Sequence, residues 1–194
     1  MAESPSILAF SGSSRRESLN RKLLAIAVRE AELAGALVTL INIGDDPLPL
    51  YDGDLEDKDG MPPSAAKLVG LVASHQGLLI ASPEYNSMIT PLLKNAIDWV
   101  SRVRERGDPT YAAFKGRVFA IASASPGPSG GLSSLMALRQ ILELGCGALV
   151  IPEQVAIPQG DMAFDAMDNI ADARLANLFH AELARLVEMA RLLA

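Results

Sequence analysis

The chain has 194 residues, 49% of them hydrophobic, which is the length of one ordinary domain with enough apolar side chain to bury a sizeable core. Its 17 Lys and Arg against 23 Asp and Glu leave a net charge of −6, which argues against a nucleic-acid or anionic-membrane surface. A single cysteine, Cys146, excludes an internal disulfide framework, and no run of about 18 uncharged apolar residues exists to form a membrane-spanning helix.

Met1 to Pro5 lack a basic stretch, so no signal peptide is expected and the expected location is the cytoplasm. Ile7 to Phe10 is a short apolar run that ends at Ser11-Gly12 and is read as a first strand. Leu19 to Leu33 has helical spacing and stops before Gly35. Ala36 to Ile41 is a second strand. Residues 42–63, rich in Pro, Gly and Asp, are long for a connection and are read as a functional or mobile rim loop. Ser64 to Ser74 reads as a helix and Gly77 to Ser82 as a third strand.

Thr90-Pro91 opens a helix reaching about Arg102, with proline in the first turn where its missing N–H costs nothing. A charged loop leads to a fourth strand, Arg117 to Ser123. Gly130-Gly131 opens a helix ending near Gly145, Ala148 to Ile151 makes a fifth strand, and Asp165 to Leu193 a long final helix. No linker or repeat interrupts the pattern, so residues 1–194 are expected to form a single domain. Continuous apolar strands alternating with helices predict an α/β fold, a three-layer α/β/α sandwich around a five-stranded parallel sheet. That is the size of a flavodoxin-like domain, whose strand order is 2-1-3-4-5.

In such sheets ligands bind beyond the carboxyl ends of the strands, where strand order reverses between strands one and three. The loop after the first strand, Gly12 to Asn20, suits a phosphate. A helix N-terminus offers free N–H groups, Ser13, Ser18 and Asn20 add donors, and Arg15 adds a forked charge. The competing reading is that Ser18 only caps the helix and Arg15 is solvated. Neither the Walker spacing nor Gly-x-Gly-x-x-Gly is present, which disfavours a P-loop or dinucleotide-binding domain.

The loop after the third strand, Pro83-Glu84-Tyr85-Asn86-Ser87, suits a flat polar ring, because Pro83 sets the chain direction and Glu84 to Ser87 present backbone. Glu84 is also read as solvent-facing or paired with Lys94, and Tyr85 as either a wall of the site or ordinary packing. Lys94 and Asp98 are spaced for a surface ion pair, and Trp99 is read as core or interface. The loop Ser123 to Gly131 supplies a third wall. A phosphate turn facing a ring-binding turn points to flavin mononucleotide.

The segments Gly12-Ser13-x-Arg15-x-x-Ser18-x-Asn20, Pro83-Glu84-Tyr85-Asn86, Leu93-Lys94-Asn95-Ala96-Ile97-Asp98-Trp99 and Ser125-Pro126-Gly127-x-x-Gly130-Gly131 together resemble the NADPH-dependent FMN reductase family, which includes bacterial quinone, chromate and azo-dye reductases. The resemblance covers residues 6 to about 145. It implies Ser13, Arg15, Ser18 and Asn20 at the FMN phosphate, and Pro83, Glu84, Tyr85, Asn86 and Ser87 along the isoalloxazine. Ser123 and the turn Ser125-Pro126-Gly127 would close the pocket. It also implies hydride transfer from NADPH or NADH to FMN and on to a small-molecule acceptor in a ping-pong cycle, with quinones, azo compounds, oxidised metal ions or free flavin as acceptors. No catalytic side chain and no metal are implied, and a homodimer or homotetramer is. Where many relatives place Pro-Gly before Leu-Lys-Asn, this chain has Thr90-Pro91-Leu92, which alters the helix start.

Other readings compete. A flavodoxin-like electron carrier or FMN-binding sensor would fit the acidic charge. Gly127-Pro128-Ser129-Gly130-Gly131 fits the nucleophile elbow of a serine hydrolase, with Ser129 as nucleophile and His180 following it, although His180 lies in an amphipathic pattern and is read as capping a core edge. Asp52 to Gly60 resembles a calcium loop, but Asp57 stands where the turn glycine belongs. His75 and His180 are too isolated for zinc, and Cys146 is read as a small buried residue. Arg102, Arg104 and Arg106 are near enough in sequence to read an NADPH 2′-phosphate, and are otherwise solvated.

Overall fold

The structure, a computed structural model, describes residues 4–102 and 110–194. Its strands are β1 (Ser6–Ser11), β2 (Leu37–Ile41), β3 (Gly77–Ala81), β4 (Val118–Ala124), β5 (Leu149–Val150) and β6 (Val155–Ile157). They form one parallel sheet in the order β2-β1-β3-β4-β5, with β6 also paired to β4. The helices are α1 (Leu19–Leu33), α2 (Gly53–Asp59), α3 (Pro63–Ala73), α4 (Pro91–Arg102), α5 (Leu132–Gln140) and α6 (Ala173–Arg191). A 3₁₀ turn, Ala112–Phe114, precedes β4, and a π turn, Ile141–Gly145, carries α5 on to the glycine expected to end it.

The pleat of the central strands explains the layering. Ile7 and Ala9 of β1, Leu79 and Ala81 of β3, and Ala120, Ala122 and Ala124 of β4 face α1 and α6. Leu8, Phe10, Leu78, Ile80, Phe119 and Ile121 face α3, α4 and α5. With both faces covered, these strands read as unbroken apolar runs and not as alternations. The predominance of alanine on the first face brings α6 close. A Cβ at Gly77 would lie 3.2 Å from Ala190 Cβ.

The predicted order 2-1-3-4-5 is present, but the sheet has six strands, not five. The edge position next to β4 is filled twice: β5 pairs with Val118 and Phe119, and β6 with Ala122 to Ala124. Between them lies Pro152, which has no N–H to donate and breaks the ladder. The rim loop contains α2, capped by Asp52 through the N–H of Asp54; it buries no residue, so no apolar period announced it.

The last helix begins at Ala173, eight residues later than expected. Asp165 Oδ1 accepts the N–H groups of Met167 and Asn169, and Phe164 bridges to Ile170, so this stretch closes on itself as a turn. Asp172 then caps α6 through the N–H groups of Arg174 and Leu175. Residues 158–171 are thereby free to leave the sheet edge and approach the carboxyl ends of the strands.

Candidate functional site

The turn after β1 is held from both sides. Gly12 N–H donates to the Ala81 carbonyl at the end of β3, at 2.9 Å. The Gly12 carbonyl accepts from the buried Thr90 hydroxyl at 2.6 Å, and Thr90 Oγ1 in turn accepts the Leu93 N–H at 3.2 Å. Thr90, at the position where the sequence departs from the family pattern, therefore caps α4 and ties it to the first loop. A Cβ at Gly12 would lie 3.2 Å from Leu93 Cβ, so this close approach requires glycine or a shift of α4.

Within the turn, Ser11 Oγ accepts the Ser13 N–H, Ser13 Oγ accepts the Arg15 N–H, and Ser18 Oγ accepts the Asn20 N–H as the N-cap of α1. Ser13 and Ser18 are only 3% and 5% exposed. Each of their oxygens accepts a backbone N–H, while their hydroxyl protons have no acceptor among the described residues. Two buried O–H donors beside a helix N-terminus and the exposed guanidinium of Arg15 suit an anion. Asn20 behaves differently. Its side chain donates to the Ala124 carbonyl at 2.8 Å and accepts the Ala124 N–H at 2.9 Å. It thus fastens α1 to the end of β4 more than it offers itself to a phosphate.

The loop after β3 is a tight hairpin. Tyr85 and Met88 exchange both backbone hydrogen bonds, at 2.9 and 3.0 Å, and Asn86 and Ser87 take φ of 51° and 62°. Paired positive φ values are those of a type I′ turn, which a serine adopts only against strain. Asn86 and Ser87 form the exposed tip, and Tyr85 and Met88 stand out from the surface at 46% and 52% exposure. Glu84 pairs neither with solvent alone nor with Lys94. Its Oε2 accepts the Ser134 N–H in the first turn of α5 at 3.0 Å, while Lys94 pairs with Asp98 at 2.7 Å.

The third wall is the turn after β4. Ser125 N–H donates to the Ile157 carbonyl, Ser125 Oγ accepts the Gly127 N–H, and Gly160 N–H donates to the Ser125 carbonyl. Ser123 does not line the site. Its buried hydroxyl has no hydrogen-bond partner among the described residues, and a Cβ at Gly131 would fall 2.0 Å from it. Gly127 shapes the turn through its carbonyl, which accepts from Gly130 and Gln159.

Between these walls lies a cleft of about 240 Å³. It brings together Ser13, Arg15, Ser18, Asn20, Pro83, Glu84, Tyr85, Ser125 and Pro126 of the residues singled out in the sequence. Asn86, Ser87, Ser123 and Gly127 are not among its lining residues. Glu17 and Asp161 also line it and were missed. Glu17 sits inside the loop whose sequence suits a phosphate, where attention goes to donors. Asp161 comes from the loop after β6, a strand too short for the sequence to announce.

Other readings lose their support here. His180 Nδ1 donates to Glu30, and His75 Nδ1 donates to the Leu71 carbonyl while Nε2 accepts from Thr39, so neither histidine is hydrogen-bonded to Ser129. His180 is exposed and does not cap the core edge. Burial pushes the Cys146 thiol up to about 11, which leaves it unreactive at neutral pH. Arg102 lies 4.9 Å over the Tyr51 ring, and Arg104 and Arg106 lie outside the described residues. Among the described residues no group of His, Cys, Asp and Glu is placed to hold a metal, and no helix is long and apolar enough to cross a membrane.

The Leu93–Trp99 motif has a further role. Asn95 accepts the Tyr51 N–H and donates to the Pro49 carbonyl. Trp99, fully buried and edge-on to Tyr51, also donates to Pro49 at 2.8 Å. Together they strap the rim loop onto α4.

Residues 5–161 match the family described as NADPH-dependent FMN reductase. The chain is 34% identical over 187 residues to an NAD(P)H-dependent FMN reductase of Pseudomonas aeruginosa, covering 96% of this chain and 95% of that protein. It is 39% identical over 137 residues to a probable NADPH:quinone oxidoreductase of Oryza sativa, covering 70% of this chain and 63%, less than two thirds, of that relative. Among solved structures, the flavoenzyme NAD(P)H:(acceptor) oxidoreductase of Paracoccus denitrificans superposes with a TM-score of 0.79 at 26% identity, over 96% of this chain and 97% of that one.

Proposed function

The chain belongs to the NADPH-dependent FMN reductase family, and from that premise we propose that residues 1–194 form one FMN-binding domain that reduces small-molecule acceptors with NADPH or NADH. The observation that carries this reading is the pair of buried hydroxyls, Ser13 and Ser18, whose O–H groups lack acceptors among the described residues and line the cleft with Arg15, Pro83, Glu84, Tyr85, Ser125 and Pro126. The donor set fits a phosphate at one end, and the exposed backbone and Tyr85 of the second loop fit a planar ring at the other.

Bound FMN supplies the hydride-accepting and hydride-donating centre. The chain's own residues bind and orient. Ser13, Ser18 and the α1 N-terminus hold the phosphate, and Arg15 adds charge-assisted bonds. Pro83 to Tyr85 would hold the ring, and Glu84 keeps that loop in register with α5 through Ser134. Asn86 and Ser87, at the hairpin tip outside the cleft lining, would hold the shape of that loop, and Ser123 and Gly127 would support the wall from behind. No side chain transfers a proton as an obligatory step. With donor and acceptor both reaching the flavin through this cleft, the exchange would be ping-pong, with quinones, azo compounds, chromate-like oxidants or free flavin as acceptors.

Tyr85, Met88, Leu132 and Met136 are exposed apolar side chains on the two segments that Glu84 joins to Ser134. They support a homodimer or homotetramer that covers this side of the cleft. Sedimentation at micromolar concentration giving only a 20.5 kDa species would remove that part of the proposal. The cytoplasm, where nicotinamide donors are kept reduced, is the location we assign to the activity. The decisive experiment is a visible spectrum with added FMN, followed by NADPH and then NADH without oxygen. Prompt bleaching of bound flavin is expected; binding without bleaching would favour a carrier or sensor, and no binding would sink the reading.

A further inference from the structure

The cleft has a neutral floor and a charged mouth. Its floor carries Ser13, Ser18 and Asn20, all buried. Its exposed lining includes one cation, Arg15, and two carboxylates, Glu17 and Asp161. Among the described residues neither carboxylate is in an ion pair. A site built only to attract a phosphate has no use for two acids in the same lining as its single arginine.

Asp161 is placed there by backbone, not by chance of a side chain. Gly160 is pinned by its N–H to the Ser125 carbonyl at 2.9 Å, and a Cβ on it would meet Leu19 Cδ1 at 2.6 Å. The preceding Gln159 takes φ of 50° and donates to the Gly127 carbonyl. The loop therefore presses against the first turn of α1 and delivers the next residue to the mouth of the phosphate end. Glu17 reaches the same mouth from the residue before the Ser18 cap.

We propose that Glu17 and Asp161 form an acidic rim that selects flavin mononucleotide over flavin adenine dinucleotide. This rests on the FMN reading above. A terminal phosphate ends on the neutral floor, where the hydroxyls, the α1 N–H groups and Arg15 serve it. In the dinucleotide that phosphate continues through an anhydride bond to a second phosphate, which has to leave the floor through the mouth. There it meets two carboxylates, and like charges held a few ångströms apart at a protein surface oppose binding by roughly tenfold in affinity. Arg15 is the one cation among the lining residues, and Lys22, which also feels Glu17, is already paired with Asp168.

The test titrates the flavin-free protein with FMN and with FAD, following quenching of flavin fluorescence, in the wild type and in a Glu17→Gln, Asp161→Asn double variant. Both side chains are exposed, so the fold is retained, and far-UV circular dichroism checks it. The expected result is FAD affinity rising about tenfold relative to FMN in the double variant, with the wild-type preference shrinking as salt is raised. An unchanged FMN-to-FAD ratio would overturn the proposal. So would an equal gain in a control of the same net charge, Glu32→Gln with Asp57→Asn, both remote from the cleft lining. Absence of FMN binding by the wild type would instead fail the FMN reading itself, and is told apart by the first titration.

Discussion

Glu84 Oε2 accepts the Ser134 N–H at 3.0 Å, so the loop after β3 caps a helix that starts nearly fifty residues later. The carboxylate sits in the first turn of α5, where a negative charge meets the positive end of the helix dipole and an otherwise free N–H. The N-cap position itself is Gly131, which has no side chain to do this. Glu84→Ala is expected to cost about 1–2 kcal/mol by leaving that N–H unpaired. The same change frees from α5 the loop after β3, proposed above to hold the flavin ring, so FMN affinity is expected to fall together with stability. Glu84→Gln, which can still accept, should lose less than half as much as Glu84→Ala. Urea unfolding and FMN titration on both variants check this; equal losses for Ala and Gln would show that the bond is not what matters.

Thr90 joins two walls of the cleft through one hydroxyl, donating to the Gly12 carbonyl and accepting from Leu93. Thr90→Val keeps the shape and removes both bonds in a buried place, for an expected cost of about 1–3 kcal/mol. Thr90→Ser keeps both bonds and should be near wild type. Thermal unfolding of the pair separates the bond from the packing.

Much of this was legible in the sequence because it depends on local composition. The central strands are apolar on both faces, so their runs announce a parallel sheet, and Ser18 and Asp98 sit at spacings whose partners are a few residues away. What stayed hidden depends on distant partners. Glu84 has a polar side chain like any other until α5 is placed beside it. Asn20 looks like a phosphate donor until Ala124 is seen to take its amide. Asn95 reads as one more position of a helix and Trp99 as core or interface, yet they hold a loop more than forty residues earlier. Of the last two strands only the run Ala148 to Ile151 is legible, because Pro152 ends it and β6 is three residues long with no pattern of its own.

The two buried hydroxyls give a prediction that isolates the phosphate. Ser18→Ala removes a helix cap and one donor, and is expected to lower stability by about 1 kcal/mol. Ser13→Ala removes the other donor and a turn bond to Arg15. Each should weaken FMN several-fold, about 1 kcal/mol per lost donor to a charged group, while riboflavin, which has no phosphate, binds as to the wild type. Parallel titrations with the two ligands check this, and a matching loss for riboflavin would move the phosphate elsewhere.

Gly131 stands over the Ser123 hydroxyl, which is unpaired among the described residues, with φ of 90°. Gly131→Ala would set a Cβ 2.0 Å from Ser123 Oγ in a conformation that L residues avoid. The expected cost is about 2–4 kcal/mol, from overpacking and backbone strain together. Removing the hydroxyl with Ser123→Ala in the same chain relieves only the overpacking, so the double variant should recover part of the loss. A coupling energy near zero in a double-mutant cycle from urea unfolding would show that the two sites do not touch.

Glu182 supplies the pH dependence. It lies on α6, fully buried, with both carboxylate oxygens lacking hydrogen-bond partners among the described residues. Burial pushes its carboxyl well above the ordinary glutamate value, the nearby Glu153 pushes the same way, and Arg139 opposes them. The native state therefore holds this proton more tightly than the unfolded chain does. Its contribution is fully present below the unfolded pKa of 4.5 and is lost as pH rises toward the raised native value. Glu182→Gln removes the ionisable group while keeping the shape. Relative to wild type it should gain stability at pH 7 to 8, and the gain should vanish below the unfolded pKa of about 4.5. Urea unfolding of both proteins across that range checks the sign. A gain that is constant with pH would mean that packing, and not the proton, sets the difference.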